Sequence, residues 1–354
     1  MSPTATLSTE QCHARIRQAI TEAGERIRAR HSVLAYQNAI GVLIMTASVM
    51  GMIGSGMLWY GGMLPWWISV PLSAIFASLI HELEHDLIHQ LYFRKNPVAQ
   101  NIMMALCWIT RPLTINPWIR RRLHFNHHKN SGLPNDTEER AITNGEVFGF
   151  RRLLMMSDGM LSILLRVTRM PWSMGRHALM RGATAYFPLG LAAWLTWYVF
   201  LSFHLLNGMS HVSGAPIDWS AGALQAMHMV NIITVTLLAP NFLRGFSINF
   251  VSSNMHYYGD IEPGNVIQQT QVLNPRWMTP FQLFCFNFGS THAIHHFVVG
   301  QPFYLRQMVA ASSHPVMREM GVRFNDVATF GRANRWALQD QSSDALATTQ
   351  KECA

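Results

Sequence analysis

The chain carries 17 histidines in 354 residues, and three groups of them have spacings that could do chemistry. The first is His81-Glu82-Leu83-Glu84-His85-Asp86-Leu87-Ile88-His89, where steps of four place His81, His85 and His89 along one side of a helix. The second is His124-Phe125-Asn126-His127-His128 and the third His292-Ala293-Ile294-His295-His296. In each of these, positions i, i+3 and i+4 present three imidazoles from one face. If the groups converge, eight or more neutral imidazoles share a small volume, and protonated they would repel one another. A bound cation resolves that conflict. Imidazole suits iron, zinc, copper and nickel, so ligand type alone does not name the metal. A set of eight or more does imply two ions, because one zinc ion takes about four ligands.

Two other chemistries share these residues. His81-Glu82-x-x-His85 is also HExxH, the zinc-protease pattern in which Glu is the general base, but such a site needs one more ligand and leaves six clustered histidines unused. A metal transporter or sensor would place its ligands along a midplane path. Here the three groups sit together beyond the ends of apolar spans. His204, His211 and His228 lie toward the opposite side and read as structural.

The elements that position the groups are membrane helices. The composition is 49% apolar and 13% charged, too poor in charge for a pair of soluble domains. No Asp, Glu, Lys or Arg occurs between His31 and His81, room for two spanning helices that turn at Gly61-Gly62. Further uncharged runs give four spans, about 35–59, 64–88, 183–206 and 219–243, in two hairpins. The expected fold is all-α: four transmembrane helices with a cytosolic helical cap that carries the metal site. Lys and Arg divide as 5 in the head, 14 from Arg94 to Arg181 and 8 from Arg244 onward, with none in the two outward loops. This is the positive-inside pattern; it predicts cytosolic termini and a cytosolic site in a bacterial inner membrane. The net charge of +8 then reflects contact with the lipid bilayer, and no basic patch with interleaved aromatics points to nucleic acid. Residues 1–31 read as a basic cytosolic segment without a cleavable signal, 32–334 as the catalytic membrane domain and 335–354 as a polar tail. Pro97 to Thr110 is too short to cross and is expected at the interface, and Arg151 to Trp172 reads as one amphipathic surface helix. The four cysteines are scattered, which argues against disulfides and a thiolate metal site.

The boxes HxxxH, HxxHH and HxxHH, in this order and on this span pattern, resemble the membrane fatty acid desaturase and hydroxylase superfamily from about His31 to Gln301. The resemblance implies two irons held by His81, His85, His124, His127, His128, His292, His295 and His296, with O2 as co-substrate and hydrogen abstraction from an unactivated C–H bond. The element Asn254-Met255-His256-Tyr257-Tyr258-Gly259 is similar to the Asn/His/Tyr/Gly element of membrane alkane hydroxylases, which adds His256 as a ligand and Asn254 as its neighbour. The family's first box supplies two ligands, so His89 is assigned an outer or alternate role. Glu82, Glu84 and Asp86 are candidates for orienting metal-bound imidazoles, as carboxylates often do.

The substrate implied is a fatty acyl chain, reached through an apolar bundle, with Arg122 and Lys129 beside the second box as candidates for holding its carboxylate. No rubredoxin-like Cys quartet, HPGG or GxGxxG is present, so electrons are expected from a separate donor such as a ferredoxin and its reductase. The wording HELEHDLIH, HFNHHK and HAIHHF is similar to the desaturase-like decarboxylases that make terminal alkenes from fatty acids. That finer resemblance implies medium-chain free acids as substrate. Desaturation and hydroxylation remain open at this level.

Overall fold

A computed structural model describes residues 7–143 and 145–337; the tail expected at 335–354 lies outside the described residues from position 338 on. The protein is an all-α integral membrane protein, with four helices among the described residues long and apolar enough to cross a bilayer. Helix α1 (Thr9–Arg30) precedes the first hairpin, α2 (Gln37–Tyr60) and α3 (Trp66–Ile88). Then come α4 (Pro97–Ile109), α5 (Pro117–Asn130), α6 (Thr137–Thr143), α7 (Phe150–Ser157), α8 (Gly159–Val167) and α9 (Trp172–Tyr186). The second hairpin is α10 (Leu189–Val212) and α11 (Ala221–Ile233), the latter running through a π turn at Thr234–Leu238 into α12 (Ala239–Met255). Short helices α13 (Val266–Gln269) and α14 (Thr279–Leu283) lead to α15 (Phe288–Phe297) and α16 (Phe303–Glu319). The described strands, β1 (Gln271–Val272) and β2 (Arg323–Phe324), pair in parallel.

Local chemistry sets the boundaries. Asn96 and Asn116 cap α4 and α5 through their side chains, each followed by a proline at the first helical position, where its missing N–H costs nothing. The π turn precedes Pro240, whose ring cannot accept a regular i−4 neighbour, so the helix widens instead of breaking. In the first hairpin α2 and α3 approach closely at small residues. A Cβ at Gly51 would overlap the Phe76 ring.

The first hairpin matches the expected spans closely. The third is displaced, to Leu189–Val212, because 183–186 belong to α9, which ends ahead of Pro188. The fourth runs past 243 to Met255 and so carries the chain from the bilayer into the cap. α4 is 13 residues and exposes Val98, Ile102, Leu106 and Ile109 as one apolar stripe, the form of an interfacial helix. The single surface helix expected from Arg151 to Trp172 is instead α7 and α8, split at Asp158, which accepts from Leu161 N at 2.8 Å to cap the second. Arg152 is fully buried there, because its guanidinium has a set of internal acceptors that no surface helix would offer. The basic head is structured too: Ile16 and Ile20 of α1 are buried against Leu305 and Val309 of α16.

Candidate metal centre

The three histidine groups and His256 do converge. The Nε2 or Nδ1 atoms of His85, His89, His124, His128 and His295 lie within 4.8 Å of one another, and those of His127, His256, His292 and His296 form a second such set. In the first set Nε2–Nε2 separations are 2.9 Å for His89–His124, 3.0 Å for His89–His295, 3.1 Å for His124–His128 and 2.9 Å for His128–His295. In the second they are 3.2 Å for His256–His292, 3.2 Å for His292–His296 and 3.4 Å for His127–His296. All nine are buried except His89 and His128, which are half-buried.

The tandem histidines explain the division. Neighbours on a helix point about 100° apart, so each HxxHH box straddles two sites. His124 and His128 go to the first set and His127 to the second, while His295 goes to the first and His292 and His296 to the second. His256 arrives from a different direction, at the extended residue that ends α12.

Hydrogen bonds on the outer nitrogens decide the tautomers. His124 Nδ1 faces Glu138 Oε2 at 2.8 Å and His127 Nδ1 faces Asp136 Oδ2 at 2.9 Å; His256 Nδ1 donates to Ser252 O at 3.0 Å. An ionised carboxylate or a carbonyl only accepts, so the proton sits on Nδ1 and the Nε2 lone pair turns inward. Lone pairs about 3 Å apart cannot hydrogen-bond each other, and His85 makes no hydrogen bond through either nitrogen. Burial pushes the imidazoles of His292, His295 and His296 well below their ordinary range, with help from neighbouring histidines, so they are held neutral. Burial above all, with a contribution from the neighbouring His124, pushes His89 down to about 2. Converging, neutral, acceptor-only nitrogens fit divalent cations, and a set of five with a set of four fits two of them.

Not every expected residue joins. His81 lies in neither set. Each step of four residues on a helix overshoots a full turn by about 40°, so a helix aimed to bring His85 and His89 to the centre leaves His81 turned aside and one turn deeper. His89, expected in an outer role, stands among the five. Glu82, Glu84 and Asp86 touch no cluster imidazole. Glu84 pairs with Arg111 and, at 2.8 Å, with Arg120, whereas Glu82 and Asp86 pair with Arg306 at 3.2 and 3.1 Å. They follow α3's other faces and neutralise buried arginines. Asn254 does not reach an imidazole. Its Oδ1 accepts from Arg152 at 2.6 Å; Arg152 also donates to Asn334 Oδ1 at 2.7 Å, and Asn334 donates to the His256 carbonyl at 2.9 Å. Asn254 therefore sets the backbone that delivers His256. Arg122 and Lys129 are exposed, about half a turn from the histidine face of α5.

The carboxylates that do back the histidines, Asp136 and Glu138, had no motif to mark them. They are the first acids after the second box, which is a usable signal once a fold-back is foreseen. That fold-back is made at Gly132, whose φ of +80° is left-handed, and whose N–H donates to Asp136 Oδ2 at 3.1 Å.

Comparison with curated proteins finds no match. The family model described as Fatty acid desaturase matches residues 61–328, which takes in all three boxes, His256 and the second, third and fourth spans. A match over that share of the sequence, on a helical membrane fold with its histidines drawn into two sets, places the chain in the fatty acid desaturase family.

Proposed function

We propose that this protein is an O2-dependent di-iron oxidase of fatty acyl chains whose own reaction is decarboxylation of medium-chain free fatty acids to terminal alkenes. The observation that carries the reading is the inward convergence of nine imidazoles as a five and a four. His85, His89, His124, His128 and His295 would hold one iron, and His127, His256, His292 and His296 the other. When bound, such a pair supplies reductive activation of O2 and removal of hydrogen from an unactivated C–H bond. The chain's residues do the remaining work. Asp136 and Glu138 keep the protons on Nδ1 and fix the ring orientations. Arg306 ties α16 to α3 through Glu82 and Asp86, and the buried cap keeps water from the histidines.

The support for decarboxylation is the wording of the three boxes. One O2, two electrons and two protons react with R-CH2-CH2-COOH to give R-CH=CH2, CO2 and two waters. A hydrogen leaves the β carbon, and the electrons of the bond to the carboxyl carbon form the alkene as CO2 departs. Two electrons come from outside the chain, from a donor such as a ferredoxin with its reductase. The test is to supply the full protein, reconstituted in membranes, with dodecanoic acid, a ferredoxin pair and O2. The expected products are 1-undecene and matching CO2. An unsaturated or hydroxylated acid of unchanged length would assign the chain to desaturation or hydroxylation.

We place the catalytic domain at 32–334, with both termini and the histidines on the cytosolic side of a bacterial inner membrane. The lack of Lys and Arg in the outward loops supports this. Cysteines at Lys129 and Ser213, both exposed, should label from opposite sides in intact cells, Ser213→Cys from outside. Labelling of Lys129→Cys from outside would reverse the orientation.

A further inference from the structure

Arg244, on α12, is 3% exposed, and among the described residues nothing pairs with it; its Nε is enclosed without a hydrogen bond. The acids nearby are committed elsewhere. Glu84 is held by Arg111 and Arg120, Glu82 and Asp86 by Arg306, and Glu138 by His124 and Arg120. A guanidinium stays charged, and leaving one buried without an anion is expensive.

His81, on α3, the helix against which α12 packs, has a matching deficit. Its Nδ1 is 3.1 Å from Arg111 Nη1. A guanidinium has no acceptor, so Nδ1 must accept and the ring proton must sit on Nε2. That Nε2 is buried and makes no hydrogen bond. With its proton on Nε2 and its lone pair given to Arg111, His81 is a donor in this arrangement and not a metal ligand. A buried cation on α12 and a buried N–H on α3, both lacking an acceptor, thus lie on two packed helices, and Asn241 of α12 donates to Thr110 O at 2.9 Å, next to the Arg111 that reaches His81.

We propose that Arg244 and His81 form the seat for the carboxylate of a free fatty acid. This rests on the fatty-acyl reading above and adds to it the residues that would hold the free acid's head. A carboxylate offers the acceptor pair that a guanidinium matches and the negative charge that the set of Arg111, Arg120 and Arg244 leaves unbalanced against Glu84 and Glu138. The seat also fixes register. His81 is one helical turn from His85, so the head group is held close to the five-histidine set and the first carbons beyond the carboxylate are the ones presented to it.

The test compares binding of dodecanoic acid and dodecanol to the full-length, iron-containing protein in lipid nanodiscs. Wild type should prefer the acid. Arg244→Gln should weaken acid binding by about 10- to 100-fold while leaving the alcohol unchanged. Arg244→Lys should recover part of the acid preference, and His81→Gln should show a smaller loss confined to the acid. Iron content should match wild type in all three variants, which also reports on folding. Unchanged acid affinity in Arg244→Gln, equal losses for acid and alcohol, or loss of iron in His81→Gln with the other variants intact would each overturn the seat. Failure of wild type to bind either ligand would instead remove the fatty-acyl reading on which it stands.

Discussion

Helices α3 and α5 both bring histidines to the centre, but they use helical geometry differently. α3 repeats every four residues, and the drift of that repeat separates its histidines: His85 and His89 enter the five-membered set, while His81 is turned toward Arg111. α5 uses HxxHH, whose adjacent pair points to two sites at once, so His124 and His128 serve one set and His127 the other. Their support differs as well. The histidines of α5 are backed by carboxylates from the segment that folds back after Gly132. The carboxylates of α3 itself are spent on arginines. A carboxylate close in sequence to a histidine is thus no guide to which one orients it; the direction of the helix face is.

The comparison breaks most readily at the first box. His89→Ala should lose iron and lower activity by more than about 100-fold, a larger effect than removal of a supporting residue, whereas His81→Ala should keep its iron. Metal analysis of the two purified variants settles the matter. Iron lost from His81→Ala and retained in His89→Ala would restore the pair expected from spacing.

The next effect is that of the backing carboxylates. Asp136→Asn and Glu138→Gln leave the hydrogen-bonding shape but remove the charge that holds the proton on Nδ1. Each should weaken metal binding by about 10- to 100-fold. Competition with a chelator measures it, and Glu84→Gln in the same assay should have no such direct effect on the metal, since Glu84 touches arginines. A stronger effect of Glu84→Gln than of Asp136→Asn would show that α3 supplies its own support after all.

Much of this was legible in the sequence because it depends on local patterns. The charge-free run after His31 gives the first hairpin to within about two residues, and the two HxxHH boxes mark the histidines that the fold gathers into clusters able to hold metal. What escaped depends on direction and on long-range packing. Nothing in the spacing HxxxHxxxH says which two of three histidines face inward, because that is fixed by how α3 packs on α2 and α12. Asp136 matters only because Gly132 turns the chain back, and Asn254 only because Arg152, 102 residues away, is buried against it. The third span was misplaced because 183–186 are as free of charge as a span but finish a separate helix ahead of Pro188.

The smallest expected effect lies on the outer face of α5. Arg122 and Lys129 flank the second box closely in sequence, and charge alone makes them candidates for gripping a carboxylate. The helix turns them away: both are exposed, while His124 and His127 of the same helix are buried. An exposed cation gains little from one more anion because water already solvates it, whereas Arg244 has no such compensation. Arg122→Ala and Lys129→Ala should therefore leave iron content unchanged and alter kcat and KM for the fatty acid by no more than about twofold, the range of ordinary surface changes. Steady-state kinetics on the membrane-reconstituted protein, at two salt concentrations to expose any headgroup contribution, would measure this. A KM raised more than about tenfold by either variant, with kcat intact, would return the carboxylate seat to α5 and make its outer face part of the substrate's route.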